Sequence, residues 1–128
     1  MNHVTVAALL VAGVIHLLPV PGVLGAGTIS RLYGIDVADP NTAILLQHRA
    51  LMFGILGVLM LAAIPWPSLR LAALTVGLAS AASFIAVALW IGGYNGAITR
   101  VVVADAVATV SLVLGLVAHL TASGTRLP

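Results

Sequence analysis

NTAILLQHRALMFGILGVLMLAAI, residues 41–64, decides the class of this chain. It is apolar for longer than the ~20 residues a helix needs to cross hydrocarbon, and it carries Gln47, His48 and Arg49 within it. A charge at mid-depth costs roughly 2.5–3.5 kcal/mol, so such a residue persists where it pairs, lines a cavity or carries protons. Asp105 stands in the same position within a second apolar stretch. Arg49 and Asp105 are therefore the first candidates for a site.

Composition agrees. Hydrophobic residues make up 62% and charged residues 6%, against about 25% charged in an ordinary soluble domain. The cations are Arg31, Arg49, Arg70, Arg100 and Arg126, the anions Asp36, Asp39 and Asp105, and lysine, glutamate and cysteine are absent. With no clustered basic face there is no basis for nucleic-acid binding. Without cysteine there is no disulfide, thiolate chemistry or cysteine-based metal site.

Working outward, four spans emerge at about residues 4–18, 41–64, 68–91 and 97–120. The first is the shortest and continues past Pro19 and Pro21 as a kinked segment; with no Lys or Arg before it, it reads as a retained helix rather than a signal peptide. The segment from about 22 to 40 is the longest polar linker. Asp39-Pro40 reads as an N-cap followed by proline at the first helical position. Pro65-Trp66-Pro67 ends the second span, Ser68 can cap the third, and Gly92-Gly93-Tyr94-Asn95-Gly96 is a turn, with aromatics suited to the headgroup interface. Short links force antiparallel neighbours, so the sequence predicts an all-α, integral membrane four-helix up-down-up-down bundle in one domain, a multi-pass protein of a cell membrane. Arg70 and Arg126 fall on the side of the termini, Arg31 and Arg100 on the other, a near tie that gives no orientation.

Counting inward places Arg49 about eight residues, on the order of 12 Å, from the end of its span, with Asp105 at similar depth. His16, Gln47, Tyr94 and Asn95 belong to the same half. Helical phase puts Gln47, Ala50, Gly54, Gly57 and Leu61 on one small-residue stripe that admits a close neighbour, and His48 with Ile44, Leu51, Ile55 and Leu59 on a lipid-suited face. Asp105 shares a stripe with Val101, Thr109, Leu112 and Leu116. Ala8 and Ala12 lead to His16; Ala73, Gly77 and Ala81 form a seam in the third span.

Two readings of the charges stand open: an ion pair holding spans two and four together, or a functional pocket. In the second, Asp105 acts as general acid or base with Arg49 and His16 supporting it, and Gln47, Thr109, Tyr94 and Asn95 contribute to ligand binding. His16 also reads as a hydrogen-bonded packing residue. No metal-ligand pattern occurs, and no cofactor is specified; a bis-histidine b-type haem between His16 and His48 meets the outward phase of His48. A channel or secondary transporter would show more spans or broken-helix repeats.

At Gln47-His48-Arg49-Ala50-Leu51-Met52-Phe53-Gly54-Ile55-Leu56-Gly57 the chain resembles small four-helix membrane proteins of the DoxX-like kind, in which Arg-Ala is followed shortly by glycines within a span. The resemblance implies a compact bundle in a bacterial cytoplasmic membrane, often an accessory subunit near redox enzymes, and brings no catalytic residue with it. Two functions are expected on these grounds. One is a membrane protein that binds a hydrophobic small molecule or serves as a subunit to a partner, homo-oligomers included. The other is a membrane-embedded enzyme acting on a lipid, isoprenoid or quinone. Contact between Arg49 and Asp105 is what discriminates them, because a carboxyl beside an arginine is a poor acid.

Overall fold

The computed structural model describes residues 2–124. All its regular elements are helical: α1 His3–Leu17, α2 Ala26–Tyr33, α3 Pro40–Ala62, α4 Arg70–Ile91 and α5 Gly96–Gly124, with 3₁₀ turns at Val20–Leu24 and Pro67–Leu69. Four segments are long and apolar enough to cross a membrane: His3–Leu24, which joins α1 to its 3₁₀ extension, Pro40–Ala62, Pro67–Ile91 and Gly96–Gly124. Arg126 lies outside the described residues.

Local chemistry sets the ends. Asn2 caps α1 through its side-chain oxygen, which accepts from the Val4 and Thr5 amides, while its Nδ2 donates to the Ala118 carbonyl at 2.7 Å. Asp39 caps α3 as its sequence predicts, accepting from the Thr42 amide and hydroxyl, each at 2.9 Å, with Pro40 in the first turn. The expected Ser68 cap does not form. Ser68 sits inside the 3₁₀ turn, α4 starts at Arg70 after Leu69 with no side-chain cap, and the Arg70 side chain donates instead to the Ala63 and Ile64 carbonyls at the end of α3. A cation on orphaned C-terminal carbonyls is favourable both as a hydrogen bond and against the helix dipole.

The main departure from the sequence reading is the linker. It folds as α2 and ends at Gly34, whose φ of 63° is left-handed. Ile29 and Tyr33 are buried there with Val37, against Leu46 of α3 and Ile98 and Val101 of α5. The segment is too short and too polar to register as a span, yet Ile29, Leu32 and Tyr33 recur at the i, i+3, i+4 spacing of an amphipathic helix.

Packing follows the small-residue seams. α1 lies against α5 and α3, and α4 against α5. A Cβ on Gly115 would lie 2.5 Å from the Ala8 Cβ, and one on Gly57 would lie 2.8 Å from Leu17 Cδ2 and 3.0 Å from the Gly13 carbonyl. These crossings favour glycine because the facing helix, through Ala8 at one and through Leu17 and the Gly13 carbonyl at the other, already fills the place of a Cβ. Leu9, Ala12, Met60, Ala73, Leu74, Ala81, Ala108 and Leu112 make the core between them. Ile44, His48, Leu51 and Ile55 face outward as their phase predicts, whereas Leu59, expected on the same face, packs against that core.

Candidate functional site

Arg49 sits on the third turn of α3, half-buried, with no carboxylate against it. Its Nη1 donates to the Tyr33 hydroxyl at 3.3 Å. Its guanidinium carbon lies 4.7 Å from the ring centre of Phe53, 5.2 Å from Phe84 and 5.6 Å from Tyr33. α2 supplies Tyr33, α3 supplies Phe53 one turn beyond the arginine, and α4 supplies Phe84. A cation over an aromatic face gains roughly 0.5–2 kcal/mol, more as water is removed, so three rings replace much of what a counter-ion would give. Nη2 is buried and has no partner in the protein.

Asp105 projects from α5 and is 4% exposed. Its Oδ2 is buried and equally without a protein partner. Among the described residues no ion pair joins it to Arg49. The two instead line one cavity of about 170 Å³, closed by the end of α1 through Ile15 and Pro19, by Leu32 and Tyr33 of α2, and by Val101 and Ala104 of α5. Leu18 and Arg100, both exposed, stand at its rim. Leaving a buried polar atom unsatisfied costs about 1–3 kcal/mol, more when it is charged, and the two residues that carry such atoms, one a donor and one a carboxyl, line the same cavity. The cavity can therefore satisfy a guest that both accepts and donates.

The other candidate residues lie elsewhere. His16 is buried, but its Nδ1 contacts the Ala12 carbonyl at 2.9 Å and its Nε2 the Ser80 hydroxyl at 3.1 Å. A carbonyl only accepts, so Nδ1 carries a proton and, in the neutral ring, Nε2 accepts from Ser80. His16 lies behind Phe53, ring centres 5.5 Å apart, and forms no part of the cavity wall. Thr109 donates to the Asp105 backbone carbonyl at 2.7 Å rather than to its carboxyl. Asn95 caps α5 through the Ile98 amide and donates to the Tyr33 and Gly34 carbonyls, which pins the end of α2 to the start of α5. Gln47 and Tyr94 are half-buried and outside the cavity wall. His48 is exposed on the outer face of α3, and both His16 nitrogens are engaged, so the two histidines do not fit a shared haem. Among the described residues no group of three His, Cys, Asp or Glu is placed to hold a metal.

Sequence reasoning missed Tyr33, Phe53 and Phe84 as partners of Arg49. One signal was present. The chain has only two phenylalanines and two tyrosines, and both phenylalanines and one tyrosine are gathered on a single cation. No family model matches the chain, and no curated protein or solved structure is significantly similar to it.

Proposed function

We propose that this chain is a multi-pass membrane protein whose long helices run up-down-up-down and which binds a hydrophobic small molecule in the cavity between Arg49 and Asp105. One observation carries the reading: Arg49 and Asp105 line the same cavity, and each keeps a buried polar atom, Nη2 and Oδ2, without a protein partner. A structural ion pair would have consumed these atoms on each other. The topology is supported by the tie between Asn2 at the start of α1 and Ala118 near the end of α5, and by that between Asn95 and the end of α2. The resemblance to DoxX-like proteins supports a bacterial inner membrane and service as a subunit to a larger assembly.

Two measurements test this. Cysteines at Ser30 and Tyr94 should label from one side of the membrane and one at Ser68 from the other; common labelling of Ser30 and Ser68 overturns the topology. Lipid extracts of protein purified from native membranes should contain a small molecule that is depleted in an Ala104→Leu protein, whose added side chain fills the cavity. Identical extracts from both overturn the binding role.

A second reading, an enzyme acting on a lipid, isoprenoid or quinone, is favoured by the freedom of the Asp105 carboxyl from any ion pair, which leaves it available as a general acid or base. Asp105→Asn separates the two. It should abolish turnover while leaving a folded protein that retains its ligand if the carboxyl transfers protons, and weaken ligand retention itself if it only binds.

A further inference from the structure

The binding role proposed above leaves the guest's chemistry open, and three features of the cavity narrow it. The first is size. About 170 Å³ is close to the roughly 150 Å³ cavity that accommodates benzene in an engineered protein core. One six-membered ring fits within it, and anything larger extends beyond the rim.

The second is charge. The inner wall holds one cation and one carboxyl, Arg49 and Asp105, and the only other charged group on the cavity, Arg100, is exposed at the rim. A buried anion would confront Asp105, and a buried cation would confront Arg49. An uncharged head meets neither repulsion, and charges are costly to bury in such a setting.

The third is hydrogen bonding. The Arg49 guanidinium can only donate. The Asp105 carboxyl accepts when ionised and can donate when protonated. A hydroxyl accepts from the first and serves the second in either state, whereas an ether or ketone oxygen only accepts. The exposed rim between Leu18, at the end of α1, and Arg100, on the first turn of α5, gives an apolar tail a way out toward lipid.

From these we infer that the cavity takes an uncharged, hydroxyl-bearing head no larger than about one six-membered ring, carried on an apolar tail, with its hydroxyl held between Arg49 and Asp105. This rests on the binding role proposed above. The test uses the full chain in lipid nanodiscs, with empty nanodiscs as the partition control. The probes are 4-octylphenol, its methyl ether, 4-octylbenzoate and 4-octylbenzylamine. Saturable binding should appear for the phenol and weaken at least tenfold for the other three, and at least tenfold for the phenol in Ala104→Leu. Should Ala104→Leu fail to fold, the probe series on the wild type still decides.

The outcomes separate the two claims. If the benzoate or the amine binds as tightly as the phenol, the uncharged head is wrong while the cavity remains a binding site. If the methyl ether matches the phenol, hydroxyl donation is wrong. If none of the probes saturates above empty nanodiscs, the inference and the binding role it rests on both fall.

Discussion

The two ends of the helix cluster are built on opposite principles. Around Met60 and Leu112 neighbouring helices close tightly over Gly57, Gly77 and Gly115, where Leu17, Met60 and Ala8 fill the space a side chain would need, and the surrounding core is apolar. Around Arg49 the same helices are held apart by rings, and two polar atoms are left without partners. Small residues remove space, so the first end has nowhere to put a guest. Large rings leave a gap beside the cation, and Tyr33 and Phe53 line the cavity with it. The same chain thus spends its glycines on contact and its few aromatics on separation.

The largest break in this contrast should come at the tight end. Gly115→Leu forces a side chain into the Ala8 Cβ at the α1–α5 crossing, and Gly57→Leu does the same against Leu17 and the Gly13 carbonyl. Overpacking of this kind typically costs about 1–3 kcal/mol, occasionally more, and the upper end applies where backbone is the obstacle. Gly54→Leu meets only Val20 Cγ2, at 3.1 Å, so it should cost less. Thermal unfolding in detergent should rank the variants in that order, and Ile55→Leu on the exposed face should be nearly silent. Equal stabilities for all four would mean that the crossings are not where the helices close tightly.

Next comes the open end. A double-mutant cycle between Arg49→Met and Phe84→Leu should show coupling of roughly 1 kcal/mol, as expected for a desolvated cation over a ring. The cycle between Arg49→Met and Asp105→Asn should show less coupling than a contacting buried pair, because the two charges act on each other across one cavity without an ion pair. Coupling of roughly 3 kcal/mol or more would restore the ion-pair reading and remove the cavity's claim to two free polar groups.

A third effect is smaller again. His16 is tied to α4 only through Ser80, so Ser80→Ala should cost about 1 kcal/mol, the usual worth of one such hydrogen bond with a partner left behind. Ligand binding at the cavity should be unchanged, since neither residue borders it. A shift in ligand affinity equal to that of an Asp105 variant would place His16 in the site after all.

The four long segments were legible because composition and length alone dictate them; residues 41–64 and 97–120 need no tertiary contact to declare themselves. The convergence of Arg49 and Asp105 on one space was legible too, from depth and helical phase. Their failure to touch was not. It depends on Tyr33 and Phe84 arriving from α2 and α4, and neither has any periodic relation to residue 49. α2 was hidden for a similar reason: eight residues bearing Arg31, Ser30 and two glycines read as a linker, and only the burial of Ile29 and Tyr33 beneath α3 and α5 makes them a helix. Asn95 looked like a site residue because it sits at the right depth, but its donors go to the carbonyls that fasten that helix.

The smallest expected effect lies at the α3 N-cap, outside both ends of the contrast. The Thr42 amide and hydroxyl donate to Asp39 and hold its carboxyl below the usual aspartate range, with Asn41 adding a weaker donor. A folded-state value lower than the unfolded one means that the cap stabilises the protein above the unfolded value and that this contribution fades as pH falls through the folded one. The carboxyl is fully exposed, so solvent screens the effect and keeps it small. Asp39→Ala should therefore melt below the wild type at neutral pH, and the two curves should converge as the solution is acidified past the ordinary aspartate range. Asp39→Asn keeps an N-cap acceptor and should fall between them, with a flatter dependence on pH. If the gap between wild type and Asp39→Ala stayed constant down to acid pH, the charge of Asp39 would play no part in starting α3, and the cap would act through its shape alone.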